Sequence, residues 1–309
     1  MPKQRGARAP THSGSWYEDN AKDLSAQIRN WLDSATIEDL GRVRAVIAPH
    51  AGYRYCGHVM AYAYKYINPS QVKRVFLLGP SHHFFSRECH LSPHARYSTP
   101  LGEAHIDTEI YSRLHATGKF PVLSPLADEA EHSLELHMPY LMEVMKGHKF
   151  SLVSIVVGAL TPDGEASYGE ILAPYLENPD NFFILSSDFC HWGSRFNYVY
   201  YQNSHGDIHQ SIKALDHEAM RIIEGGDPAA FTKYLSKTGN TICGRHPIGV
   251  FLQAASRSGV GHKIKFTQYD QSHKCLTQRD SSVSYASAAV TIEDAAGAAG
   301  AHVGENGKA

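Results

Sequence analysis

The chain has 309 residues, 42% of them hydrophobic, and a formal charge of −2. That is enough apolar material for a large core in one or two domains. The charge balance is too even for electrostatic capture of nucleic acid or insertion at an anionic membrane, and no segment is apolar for long enough to span a bilayer.

In chain order, residues 1–11 read as a flexible N-terminus, basic but lacking the apolar stretch of a secretory signal. The expected location is therefore cytoplasmic, with nuclear entry open. The stretch AKDLSAQIRNWL places Leu24, Ile28, Trp31 and Leu32 on one helical face. An apolar run at 43–48 then ends in Pro49-His50, and another at 73–78 ends in Gly79-Pro80 followed by Ser81, His82 and His83. Short runs of this kind read as strands buried on both faces. DTEIYSRLHATG reads as a helix capped by Asp107 and stopped at Gly118.

DEAEHSLELHMPYL reads as one further helix, with Glu131 and Glu135 sharing a face and His132 beside Glu135. His132 and His137 are five apart, so this is not a self-contained zinc helix of the HExxH kind. The role expected for His132 and Glu135 is to orient imidazoles that lie closer to a ligand.

Strands follow at 150–160 and 181–187, the second running into Asp188, Cys190 and His191. Two helical segments come next. One aligns Ile208, Ile212 and Leu215; the other starts at Asp227-Pro228 and stops at Gly239. Cys243 precedes a helix that begins near Pro247, with Arg245 and His246 beside it, a setting that favours thiolate over thiol. Alternating runs at 263–270 and 282–292 complete the pattern, and residues 294–309 read as a disordered tail. Strands and helices alternate without a linker over 12–293. The expected fold is therefore one α/β domain with a central, mainly parallel or mixed sheet flanked by helices.

The chain carries 20 histidines, and their placement matters more than their number. Three strands are each followed at once by polar side chains: His50, then His82 and His83, then Asp188 and His191. In open α/β sheets ligands bind beyond the carboxyl ends of strands, so parallel neighbours would bring these groups into one crevice. Two imidazoles with the Cys243 sulfur suit copper or zinc, and two imidazoles with a carboxylate suit iron. His191 could then move protons, with Asp188 orienting that ring or ligating directly. Glycine-rich nucleotide loops and the GxSxG elbow are both missing from the sequence. Five isolated cysteines without a CxxC pair argue against a disulfide frame.

The stretches HSGSWY, IAPHAGYRYCG, LLGPSHHFF, EHSLELHMPYL, VVGAL, SSDFCHWG, NTICGRHPIGV and DSSVSYASAAVTI occur in this order from about residue 12 to 291. In these the chain resembles the Memo family, whose fold is similar to that of class III extradiol dioxygenases. The resemblance implies a metal triad of His50, His82 and Cys243, with His191 at the dioxygenase acid/base position. Cysteine in place of the dioxygenase carboxylate points away from ring cleavage. It points instead to a copper-dependent oxidoreductase, most simply using Cu(I), with iron or zinc as the other metals. The resemblance further implies production of reactive oxygen species and a link to cell-motility signalling. It also implies a pocket with Trp16, Tyr55 and His83 at its mouth, where phosphotyrosine-type peptides of signalling proteins would bind if the chain is an adaptor rather than an enzyme.

Overall fold

The computed structural model describes residues 4–293; the C-terminal tail of the sequence reading lies outside them. The strands are β1 Arg5–Arg8, β2 Val43–Ala48, β3 Arg74–Pro80, β4 Cys89–Leu91, β5 His94–Thr99, β6 Gly102–His105, β7 Ser151–Val157, β8 Asn181–Ser186, β9 His191–Trp192, β10 His262–Gln271 and β11 Ser282–Ile292. The helices are α1 Ala21–Ser34, α2 Tyr53–Tyr64, α3 Thr108–Ala116, α4 Pro125–Ala130, α5 His132–Glu135, α6 Met138–Val144, α7 Pro162–Glu177, α8 Ile208–Glu224, α9 Pro228–Thr238 and α10 Arg245–Arg257.

The large sheet has the order β10-β11-β2-β8-β3-β7-β4. Its centre, β2-β8-β3-β7, is parallel, and β11 and β4 join it antiparallel. This is the expected mixed α/β sheet in a single domain. β2, β3 and β8 are buried from end to end apart from Arg74, because helices cover both faces. Each can therefore be apolar without alternation, which is why the runs were legible. β8 lies between β2 and β3, so the three strands that deliver His50, His82 and Asp188 are immediate neighbours. None of the helices among the described residues is long and apolar enough to cross a membrane.

A second, three-stranded sheet has the order β1-β5-β6. It corrects the reading of residues 1–11 as flexible: Arg5–Arg8 pairs in parallel with β5. No apolar pattern announces this strand, because a polar side chain anchors it. Arg8 is 1% exposed and donates to the carbonyl oxygens of Asp128 (2.8 Å) and Glu131 (2.7 Å) and to the Glu135 carboxylate (2.7 Å).

The segment DEAEHSLELHMPYL also differs from expectation. It is three short helices, α4, α5 and α6, and Glu131 sits between the first two in extended conformation (φ −80°, ψ 119°). Glu131 and Glu135 consequently share no helical face. The break exists because Glu131 caps α5, its carboxylate accepting the Ser133 N–H at 2.9 Å. α5 in turn docks on the end of β3, where Ser133 Oγ donates to the Pro80 carbonyl at 2.7 Å. A Cβ at Gly79 would stand 2.7 Å from that hydroxyl, so the strand must end in glycine for α5 to approach.

Candidate metal centre

His50 lies just beyond β2 and is 1% exposed. Its Nδ1 stands 2.6 Å from Ser186 Oγ at the end of β8. The Ser186 proton is already donated to the Ser133 carbonyl (2.7 Å), so Nδ1–H of His50 is the donor and Nε2 keeps its lone pair. His82, beyond β3, donates its backbone N–H to Glu131 Oε2 (2.6 Å) and its Nδ1–H to Oε1 (2.9 Å). That leaves its Nε2 free as well. A carboxylate behind one imidazole nitrogen is the arrangement that turns the other toward a metal.

His132, first residue of α5, completes the group. Its ring centroid is 4.4 Å from that of His82 and 5.5 Å from that of His50. His50, His82 and His132 each offer one ring nitrogen, all within 4.8 Å of one another, and could hold a metal ion. Burial, with the neighbouring His82 next in weight, holds His50 well below the ordinary imidazole range and His132 down at about 3. Both are therefore neutral at neutral pH, the form a metal requires.

Cys243 stands beside this set of three. Its Sγ is 3.3 Å from His50 Nε2 and accepts the Asp188 N–H at 3.2 Å. Gly244 lets the segment come this close: a Cβ there would lie 2.2 Å from Ser187 Cβ. The expected thiolate is not what the surroundings favour. Burial and then the Asp188 carboxylate push the thiol well above its usual range, and Arg245 offsets this only in part. Cys243 is a neutral thiol until a cation replaces its proton.

Asp188 also departs from expectation. Its carboxylate accepts the backbone N–H of His50 at 2.8 Å and that of Ala51, so it pins the loop after β2 rather than the His191 ring. Burial raises it to about 7, with the two N–H donors and His82 working against the rise. His191 is oriented by carbonyls instead: Nδ1 lies 2.9 Å from Phe189 O and 3.2 Å from Thr241 O. The proton must therefore be on Nδ1, leaving Nε2 as an acceptor. Burial lowers its basicity, and the two carbonyls partly restore it.

The two orienting residues of the sequence reading separate. His132 joins the cluster directly. Glu135 hydrogen-bonds none of its three histidines and holds the N-terminal segment, His12 included. The acid that orients His82 is Glu131. Burial opposes its charge, but the His82 hydrogen bond and charge, His132 and the Ser133 N–H together hold it down to about 2. Trp16 packs on His132 at 4.6 Å and remains 38% exposed. His83 is exposed, its ring 6.0 Å from His132. Tyr55 lies farther along, in a cavity of about 140 Å³ lined also by Arg195, Phe196, His273 and Tyr285; Phe196 in turn packs on His191. Sequence reasoning passed over Ser186 and His12. A serine at the end of β8 and the histidine of HSGSWY were the available signals, and neither residue type is diagnostic alone.

Comparison with known proteins finds relatives over nearly the whole chain. A family model described as Memo-like protein matches residues 8–289. Protein MEMO1 of Danio rerio is 48% identical over 297 residues, covering 94% of this chain and 100% of that protein. Protein MEMO1 of Homo sapiens is 47% identical over 291 residues, covering 92% and 97%. Among solved structures, the crystal structure of uncharacterized protein JW3007 from Escherichia coli K12 overlays with a TM-score of 0.47 at 13% identity, covering 79% of this chain and 99% of that one.

Proposed function

Since the chain belongs to the Memo-like protein family, we propose that it is a copper-dependent redox protein whose ion is held by His50 and His82, with His132 and Cys243 completing the donor set. The observation that carries this reading is the pair of locked tautomers. Ser186 and Glu131 each take an Nδ1–H, so that two Nε2 lone pairs converge where His132 and a thiol also stand. Imidazole nitrogen with a soft sulfur suits Cu(I); zinc would accept the same donors but supplies no redox chemistry, and iron is better matched by a carboxylate in place of the sulfur.

A bound copper ion would supply one-electron exchange between a reductant and dioxygen, with reactive oxygen species as the product. The chain's own residues supply the rest. His191 Nε2 is the acceptor for a proton released at the site, its ring held by the Phe189 and Thr241 carbonyls. Asp188 fixes the backbone that carries His50. Trp16 lies over His132 and narrows the approach of water from the outer side. A part in cell-motility signalling is proposed on the family resemblance.

Anaerobic Cu(I) titration of wild type and Cys243→Ser tests the reading. Weaker binding by the variant supports it. Equal affinity removes copper from the proposal, and a preference for zinc or iron in the same competition replaces it. A second reading, a pocket for phosphotyrosine-type peptides, is favoured by the exposure of Trp16 and Tyr55, 38% and 37%. Peptide affinity that is unchanged in metal-free His50→Ala would remove it.

A further inference from the structure

The three cluster histidines are not held alike. His50 and His82 are fixed by hydrogen bonds on Nδ1. Among the described residues, the nearest acid to the His132 ring is Glu131, with Oε1 3.7 Å from Nδ1, too far for a hydrogen bond. What fixes its ring is packing: the His82 ring at 4.4 Å, the Trp16 ring at 4.6 Å and the His12 ring at 5.8 Å.

Trp16 and His12 reach His132 from the N-terminal segment, and that segment is latched by one buried acid. Glu135, 1% exposed, accepts from Arg8 Nη1 (2.7 Å), the His12 N–H (2.8 Å), His12 Nδ1 (2.9 Å) and Tyr17 OH (3.0 Å). Every one of these donors belongs to residues 8–17. Between them the chain turns at Gly14, whose φ of +76° suits glycine, and the Gly14 N–H closes the turn on Tyr17 O at 2.8 Å. The turn sets Trp16 over His132, and the Tyr53 N–H at the start of α2 holds it there through the Trp16 carbonyl (2.9 Å). A buried carboxylate with all its lone pairs engaged is an elaborate anchor for an indole that stays 38% exposed.

We propose that residues Arg8–Tyr17 form a strap that positions His132, with Glu135 as its latch, so that the strap sets how long an ion stays on the cluster. This rests on the metal-holding reading above. A ligand can leave an ion only by swinging its ring away. Ser186 and Glu131 prevent that for His50 and His82, and Trp16 with His12 prevents it for His132. Glu135 and Trp16 are thus positioning residues that need not touch the ion.

The test is the rate at which Cu(I)-loaded protein yields its metal to a chromogenic chelator, with amide exchange of residues 9–17 followed in the metal-free protein. Trp16→Ala and Glu135→Gln are expected to release metal about tenfold to a hundredfold faster, the usual effect of losing an orienting partner. Trp16→Phe, which restores an aromatic face, stays near wild type, a rescue that a purely structural role would not show. Glu135→Gln also loses protection at the His12 amide; should it fail to fold, the half-exposed Trp16 variants still decide. Release from Trp16→Ala at the wild-type rate would overturn the strap and leave the metal site standing. Wild type that takes up no metal would overturn both.

Discussion

The inner and outer walls of the cluster bury polar groups by opposite means. The inner wall is His50, Asp188 and Cys243, at the ends of β2 and β8. Its groups are buried among backbone N–H groups and a hydroxyl, with no Lys or Arg among the described residues hydrogen-bonded to them, and burial drives them toward neutrality: Asp188 up to about 7, Cys243 up, His50 down. The outer wall is Glu131 and Glu135, each 1% exposed, and both are held down at about 2. There too burial opposes the charge, but histidine rings, Arg8 and N–H donors outweigh it. Burial alone does not decide a group's charge; the donors that were buried with it do. A wall that is neutral when empty can accept a cation, and a wall with fixed charge can hold the imidazoles that aim at it.

Breaking the outer wall should have the largest effect. Arg8→Ala leaves Glu135 without its cation and takes a donor from the Asp128 and Glu131 carbonyls, so a loss of about 3–5 kcal/mol is expected in denaturant unfolding.

The walls should then respond to pH with opposite signs in metal-free protein. Asp188 has a folded pKa above its unfolded one, so the folded state holds a proton that the unfolded state has lost. Its contribution to stability falls as pH rises from about 4 to about 7, by roughly 4 kcal/mol. Asp188→Asn should flatten that limb. Glu135 has a folded pKa below its unfolded one, so its contribution is present above about 4.5 and is lost as pH falls toward about 2, roughly 3 kcal/mol in all. Glu135→Gln should flatten the acid limb and leave the neutral one unchanged. Urea titrations from pH 2 to 8 check both, and two variants that flatten the same limb would erase the contrast between the walls.

The smallest effect sharpens the comparison within the inner wall. Ser186→Ala frees the His50 Nδ1 and should cost about 1–2 kcal/mol of stability, while lowering metal affinity about tenfold. Calorimetry on the metal-free and metal-loaded protein separates the two.

The inner wall was largely legible in the sequence. β2, β3 and β8 are apolar runs that end abruptly in polar residues, and strand ends are where such sheets bind ligands, so His50, His82 and Asp188 could be placed together. The role of Asp188 could not, because it depends on which backbone N–H groups the loop after β2 presents. The outer wall was mostly hidden. EHSLELH has helical spacing throughout, and only the extended backbone at Glu131 turns His132 into the cluster and Glu131 toward His82. β1 was hidden for a related reason: Arg8 holds it through buried polar bonds, which leave no apolar period to read.

The central claim is that one ion is shared by His50 of the inner wall and by the His82 and His132 rings that stand against Glu131 of the outer one. Equilibrium metal titration of His50→Ala, His82→Ala and His132→Ala, with His105→Ala, an exposed histidine of β6 in the second sheet, as control, tests it most directly. The account predicts one ion per chain, an affinity loss of about tenfold or more in each cluster variant, and none in the control. Cluster variants that bind the ion as tightly as wild type would contradict it.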